Sequence, residues 1–443
     1  MRLSVIGAGY LGAVHATAMA SLGFEVIGLD LDSERIRALR DGRAPFFEPG
    51  FDEMLMQANG SGRLAWSTDY ADVADSDVHF VCVGTPQRVD SHAADLSQLW
   101  MAINSLLPHL KPRSIVAGKS TVPVGTAERV GLLIAESWRG ATADMPSVVW
   151  NPEFLREGFA VEDTLRPDRI VVGLPCGSDD AADAMMREVY RAQIAAGIPY
   201  LPMDLPTAEL VKVAANAFLA TKISFINAMA EVCESAGADV RTLAEAIGHD
   251  ERIGRKFLAA GVGFGGGCLP KDIRAFSARA GELGADQALA FLREVDDINS
   301  RRRERAVQMA RNLVGGEFRG KRIVVLGAAF KPNSDDVRDS PALDIAVRIH
   351  NEGGTVVVHD PRALKNAASR FPVLGYEGRL EAALTGADAV VLLTEWDEYR
   401  LLNPTETAAL VKSARILDGR NALNANEWRA AGWTYRGMGR EHG

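Results

Sequence analysis

MRLSVIGAGYLGAVHATAMASLGFEVIGLD, Met1 to Asp30, decides how the rest of the chain is read. The apolar run Leu3–Ile6 predicts a strand, and glycines follow at positions 7, 9 and 12. A helical pattern then runs to about Leu22, and a second strand, Glu25–Leu29, ends on Asp30. This is a strand–helix–strand unit with a dinucleotide fingerprint. The glycines admit a pyrophosphate to the helix N-terminus, and an acid 23 residues beyond Gly7 is placed to accept from the adenosine ribose. A bare glycine triplet is a weak signal; strand, glycines, helix, strand and acid in order are a specific one. An acid at that place disfavours a 2′-phosphate, so the expected cofactor is NAD and not NADP. Arg35 reads either as a stacking partner near the adenine or as a solvated helix residue.

The chain has 443 residues, too many for a single core, so two or three domains are expected. With 47% hydrophobic and 24% charged residues it has the composition of an ordinary globular protein. A net charge of −9 argues against nucleic acid as a partner, and any anionic ligand must be held by local Lys and Arg. The four cysteines, Cys82, Cys176, Cys233 and Cys268, have neither metal-ligand spacing nor the density of a disulfide framework. No metal site is expected, and the scarcity of cysteine fits a reducing cytoplasm. The first residues lack a basic segment followed by a long apolar one, and no run reaches the ~18 uninterrupted apolar residues of a membrane span. Neither export nor membrane insertion is expected.

Further strands are predicted at Val78–Val83, Ser114–Lys119 and Ser147–Trp150. In an open parallel sheet ligands lie beyond the carboxyl ends of strands, which puts Thr85, Ser120 and Thr121 toward the nicotinamide side; both turns read equally as plain strand terminators. NPEFLREG follows Trp150, and a helix beginning at Pro152 would put Glu153 and Glu157 on one face. A long helical pattern covers Pro206 to about Ala236, apolar on most faces, with Lys212 and Asn216 one turn apart. So few solvated faces suit a helix buried between domains or subunits. Residues 286–315 are again helical and rich in Arg. From about residue 316 the pattern of the N-terminus recurs as strand, glycine turn, helix and a strand ending on Asp360, with GAAF in place of the fingerprint. Strands at Ala389–Leu393 and Arg415–Leu417 follow, the second ending in DGRN, where Arg420 faces the expected crevice or simply closes a turn.

Between the helical stretches stands GVGFGGGCLPKD, Gly261–Asp272. Glycines without Cβ let the backbone close around a ligand, and a thiolate reacts only where substrate can approach. Cys268 reads either as a presented thiol, with Lys271 able to favour the thiolate and Asp272 able to order a water or a proton, or as a core cysteine beside a flexible glycine turn. Arg252, Lys256 and Lys271 gather positive charge in this part of the sequence.

Taken in order, GAGYLG, KSTVPVG, NPEFLREG, ELVKVAANAFLATKISFINAMAE, GVGFGGGCLPKD, LGAAFKPNSDDVRDSP and LDGRN resemble the UDP-glucose/GDP-mannose dehydrogenase family across essentially the whole chain. The resemblance implies an α/β fold of two Rossmann-like doubly wound domains joined by a long central helix. It divides the chain into a cofactor domain at 1–204, a central dimerisation region carrying the cysteine loop at 205–300, and a nucleotide-sugar domain at 301–443. It also implies an NAD-dependent four-electron oxidation of a sugar nucleotide's C6 alcohol to a carboxylate. UDP-glucose is favoured as substrate, with GDP-mannose or a two-electron 3-hydroxyacid-type chemistry as alternatives. Cys268 matches the nucleophile, Lys212 and Asn216 the oxyanion donors, Glu153 the acid/base, and Asp272 with Thr121 the groups that order the hydrolytic water. By the same matching, Gly7, Gly9, Tyr10, Leu11, Gly12, Asp30, Arg35, Thr85, Thr121, Glu157, Lys271 and Arg338 would contact the cofactor. Glu153, Phe154, Leu155, Lys212, Asn216, Arg252, Phe264, Gly265, Lys331 and Arg420 would contact the nucleotide sugar. One departure stands out: Gly267 occupies the position where many relatives carry serine, or histidine in the N-acetylmannosamine branch. The resemblance further implies a homodimer or higher homo-oligomer.

Overall fold

In the computed structural model, which describes residues 1–175 and 179–440, the chain divides into two compact units, Met1–Ala215 and Asn216–Gly443. Cys176 lies outside the described residues.

The first unit is built on eight strands: β1 (Arg2–Ile6), β2 (Glu25–Leu29), β3 (Leu64–Ser67), β4 (Val78–Val81), β5 (Ile115–Gly118), β6 (Ser147–Trp150), β7 (Ile170–Leu174) and β8 (Tyr200–Asp204). Their spatial order is β3-β2-β1-β4-β5-β6-β7-β8, parallel throughout except at the β6/β7 pair. Strands such as VHFV and IVAG are buried at every position, because helices cover both faces of such a sheet. The order reverses between β1 and β4, and that is where a doubly wound sheet opens its ligand crevice. The strand–helix–strand reading of Met1–Asp30 is borne out: the helix runs Tyr10–Ser21 between β1 and β2.

The second unit repeats the plan with β9 (Arg322–Leu326), β10 (Thr355–His359), β11 (Gly375–Tyr376), β12 (Ala389–Leu392), β13 (Arg415–Asp418) and β14 (Thr434–Gly437). These six are all parallel in the order β11-β10-β9-β12-β13-β14. The echo of the N-terminus is structural, but its turn is closed. The buried Asp360 carboxylate at the end of β10 accepts from the N–H groups of Ala328, Ala329, Arg362 and Ala363 and from the Trp396 indole. With its lone pairs so engaged, Asp360 has no capacity left for a ribose.

The central helix, Leu205–Ala236, is 32 residues long, about 48 Å at 1.5 Å per residue, and passes from the first unit into the second. Among the described residues it is the one helix long and apolar enough to cross a membrane. Its buried positions are otherwise accounted for. Ala217 and Ala220 pack with Phe264, Ile273 and Leu292, while Ile226, Ala230 and Cys233 pack with Val240 and Leu258. It is a core helix. The helical reading of 286–315 resolves into a short 3-10 turn, Asp286–Leu289, and a helix, Phe291–Leu313.

Candidate active site

In the first unit the fingerprint forms a cradle. A methyl group at Gly12 would lie 1.8 Å from the Gly7 carbonyl oxygen, so only glycine lets the helix start so close to the turn. A side chain at Gly9 would instead meet open space. The helix that follows has no side-chain cap and no acid in its first turn, which leaves its leading N–H groups to an anion. Asp30 Oδ2 accepts from Ala8 N and from Arg35 Nη1, both at 2.8 Å, so Arg35 orients the acid and is not a free helix residue. The cradle, the open side at Gly9 and the oriented acid fit a dinucleotide with an unphosphorylated ribose.

Across the switch point the two strand-end turns are laced together. Thr85 Oγ1 donates to the Thr121 carbonyl at 2.8 Å and Ser120 Oγ to the Val83 carbonyl at 2.6 Å. Behind them the buried Lys119 donates to Asn151 Oδ1 at 2.9 Å, which fixes the end of β6. No helix starts at Pro152: residues 151–158 are irregular and the next helix is Ala160–Leu165, so Glu153 and Glu157 do not share a helical face. Instead the Glu153 carboxylate turns back to accept from Leu155 N at 2.7 Å. Its other oxygen lies 3.3 Å from Lys212 Nζ, whose ammonium stands 5.4 Å from the centre of the Phe154 ring. The structure thus joins Glu153, Phe154 and Lys212. Leu155 packs against the core.

Glu209, one turn before Lys212 on the central helix, was not singled out by the sequence. It is buried, and its carboxylate accepts from Gly125 N and Ala127 N, both at 2.7 Å, tying the helix to the end of the KSTVPVG turn. Burial pushes this carboxyl up to about 7, against the pull of the backbone N–H groups of residues 125–127.

In the second unit Cys268 is exposed and is the N-cap of the helix Leu269–Glu282. The thiol therefore sits at the positive end of the helix dipole. One turn in, the buried Asp272 accepts from Asn216 Nδ2 at 2.7 Å on one oxygen and from Lys271 Nζ at 2.5 Å on the other. Ahead of the cysteine, Asn299 pairs with both the N–H (2.7 Å) and the carbonyl (3.0 Å) of Phe264, and Gly263 has a φ of +93° that admits few residues but glycine. A methyl at Gly265 would fall 2.2 Å from the Asp339 carbonyl oxygen. A methyl at Gly267 would fall 2.3 Å from the Arg338 guanidinium carbon, so Arg338 occupies the space that a serine there would need.

Other predicted residues are placed differently. Arg420 donates to the carbonyls of Leu393 (2.7 Å), Gly263 (2.8 Å) and Phe330 (3.3 Å), so it clamps the glycine loop to the strand ends of the second sheet. It also lines a cavity of about 290 Å³ with Val240, Arg255, Leu258, Ala260 and Asn421. Lys331 lies 5.4 Å from the Phe330 ring centre. Arg252 stands at the surface, its side chain 88% exposed and paired with Asp250, and among the described residues no contact joins it to a predicted site residue. Among the described residues no cluster of His, Cys, Asp and Glu could hold a metal ion.

Three family models cover this geometry in order. Residues 1–194 match the NAD binding domain, 206–301 the central domain and 324–425 the UDP binding domain of the UDP-glucose/GDP-mannose dehydrogenase family. The chain belongs to this family. It is 41% identical over 441 residues to a UDP-glucose 6-dehydrogenase of Rhizobium meliloti (strain 1021), covering 99% of this chain and all of that protein. It is 39% identical to a UDP-glucose 6-dehydrogenase of Bacillus subtilis (strain 168), over all of this chain and 98% of the relative. Among solved structures, a UDP-glucose dehydrogenase from the hyperthermophilic archaeon Pyrobaculum islandicum superposes with a TM-score of 0.89 at 38% identity, covering 99% of this chain and 98% of that one. The family's NAD binding domain is the unit in which the cradle lies, and its UDP binding domain is the one whose own turn Asp360 closes.

Two measurements test the local geometry. Asp30→Ala is expected to weaken NAD binding by about tenfold and to relax discrimination against NADP, as loss of charge-assisted bonds to a ribose should; unchanged constants for both cofactors would remove Asp30 from the ribose site. Glu209 holds its proton more tightly in the fold than in the unfolded chain, so its ionisation takes stability away as pH rises through about 7. Between pH 5 and pH 8 Glu209→Gln should therefore gain about 2 kcal/mol on wild type in denaturant unfolding. A gap that does not change with pH would contradict this.

Proposed function

We propose that this chain oxidises the C6 alcohol of UDP-glucose to the carboxylate of UDP-glucuronate in four electrons. The observation that carries the reading is the head of the cysteine helix: an exposed thiol at the N-cap with the buried, doubly bonded Asp272 one turn behind it. The curated relatives above, alike over their full length, supply the substrate.

NAD, which the glycine turn and Asp30 would hold, would supply the hydride acceptor, two being consumed in sequence. The chain's own groups do the rest. The Lys212 ammonium and the Asn216 amide donate to the oxygen on C6 as it gains negative charge, and Glu153 takes up or returns the proton. Once the aldehyde is formed, the Cys268 thiolate bonds to its carbon and the carbonyl oxygen becomes the hydroxyl of a thiohemiacetal. Loss of a second hydride leaves a thioester. Water, ordered by Asp272 and Thr121, then adds to that carbonyl, the carbon–sulfur bond breaks, and the thiolate is restored. A simple two-electron dehydrogenase has no use for the thiol. Arg252, Phe264, Gly265, Lys331 and Arg420 are assigned to the nucleotide sugar, and Tyr10, Leu11, Glu157, Lys271 and Arg338 to the cofactor. Arg252 pairs with Asp250 at the surface.

The three-part division at 1–204, 205–300 and 301–443 belongs to the same proposal, as does a cytoplasmic homodimer. The central helix supports the dimer: Phe218, Phe225 and Val232 stand 67%, 49% and 57% exposed at seven-residue spacing, an apolar stripe fit for a second copy of this chain.

The deciding experiment is NADH yield per molecule of limiting nucleotide sugar, with UDP-glucose and GDP-mannose side by side. Two NADH from UDP-glucose and none from GDP-mannose are expected. One NADH from either donor would refute the four-electron assignment, and two from GDP-mannose alone would move the substrate. Cys268→Ser should abolish acid formation while leaving NAD binding nearly intact.

A further inference from the structure

Glu48 has no place in the roles assigned above, yet it is among the most tightly held carboxylates in the first unit. It lies in the run RAPFFEPG, Arg43–Gly50, and is only 5% exposed. Its two oxygens collect three donors from two distant parts of the chain. The Tyr10 hydroxyl and the Gly158 N–H (2.6 Å) meet Oε2, and the Ala160 N–H (2.7 Å) meets Oε1. The Gly158 N–H also reaches the Tyr10 hydroxyl oxygen at 3.0 Å, so turn, carboxylate and loop close a ring of bonds. From the other side Phe46 packs on the Tyr10 ring at 4.6 Å and stacks on Phe51 at 5.2 Å. Burial, and the bond to Glu48, push the Tyr10 hydroxyl far up, so it stays a proton donor at any working pH.

The two ends of this ring matter. Tyr10 is the first residue of the fingerprint helix, directly after Gly9, and its backbone N–H belongs to the anion-facing end of that helix. Gly158, with φ of +78°, closes the irregular loop that leaves β6 and carries Glu153. The helix foreseen at Pro152 would have satisfied these N–H groups internally; here Glu48 takes them instead. A buried carboxylate left with an unfilled lone pair is costly, so neither partner can withdraw without disturbing the other.

We propose that Glu48 is a positioning residue that couples the cofactor turn at Tyr10 to the loop from Asn151 to Phe159 through one shared carboxylate. Filling the turn tightens the loop before the substrate reacts. The functional consequence rests on the reading of Glu153 as acid/base, whereas the coupling itself does not, and the two can fail separately.

The test is amide hydrogen exchange in the full-length protein, with and without NADH, for wild type, Glu48→Gln, Tyr10→Phe and the double variant. In wild type NADH should slow exchange at Gly158 and Ala160 about fivefold or more, and in each variant by less than about twofold. The double variant should be no worse than Glu48→Gln alone, because both changes break the same bond. Should Glu48→Gln fail to fold, Tyr10→Phe, which removes a single hydroxyl, carries the test. NADH slowing exchange equally in wild type and Tyr10→Phe would overturn the proposal, as would no effect of NADH on these amides in wild type. UDP-glucose turnover by Glu153→Gln, measured beside it, tests the acid/base reading on its own.

Discussion

The structure around the exposed Cys268 thiol depends on one buried carboxylate. Asp272 is 3% exposed and survives there because both oxygens are bonded, one to the Asn216 amide of the central helix and the other to the Lys271 ammonium. Its own N–H donates to the Cys268 carbonyl at 2.9 Å, closing the first turn of the cysteine helix. Removing the Lys271 ammonium would leave an uncompensated buried charge, at a cost on the order of 3–5 kcal/mol. The thiol, the helix behind it and the central helix are therefore one object. Asn299, bonded to both polar groups of Phe264, holds the other end of the glycine loop in the same way.

The two sheets make opposite use of a shared plan. Each has the order of a doubly wound fold, with an aspartate at the end of its second strand. In the first, Asp30 keeps its side chain 11% exposed beside an open glycine turn. In the second, Asp360 is buried and its oxygens are filled by four backbone N–H groups and an indole. The crevice of the second sheet is instead lined by the glycine loop of Gly261–Gly267: Val262 N donates to the Gly419 carbonyl, and Gly266 N to the Arg338 carbonyl. A switch point that could have bound a second dinucleotide holds the segment that leads into Cys268.

Periodicity and glycine placement made most of this legible. The strand–helix–strand start, the long apolar helix and the repeat after residue 316 all follow from alternation and spacing, and the observed β2 and β6 coincide with their expected limits. Motif matching singled out Glu153, Lys212, Asn216 and Asp272 one by one; that Glu153 meets Lys212 and Asn216 meets Asp272 came from the structure, since residues so far apart in the chain have no local signal to join them. What escaped was a set of buried charged groups: Glu48 lies in a stretch that carries no pattern, while Lys119 and Glu209 lie in stretches that read as a strand end and a helix face. Their role depends on which N–H and C=O groups elsewhere lack partners, and a linear pattern does not carry that. The misplaced helix at Pro152 has the same origin, because proline is a good first helical residue unless an outside carboxylate claims the following N–H groups.

Covalent capture on Cys268 is the claim on which the functional account turns. The most direct measurement is acid quench of a single turnover with NAD and UDP-glucose, followed by mass analysis of the peptide that contains Cys268. The account predicts a transient sugar-nucleotide adduct on that peptide, which forms and decays at rates matching acid production. Acid formed at the full rate, with no adduct on Cys268 at any time, would contradict it.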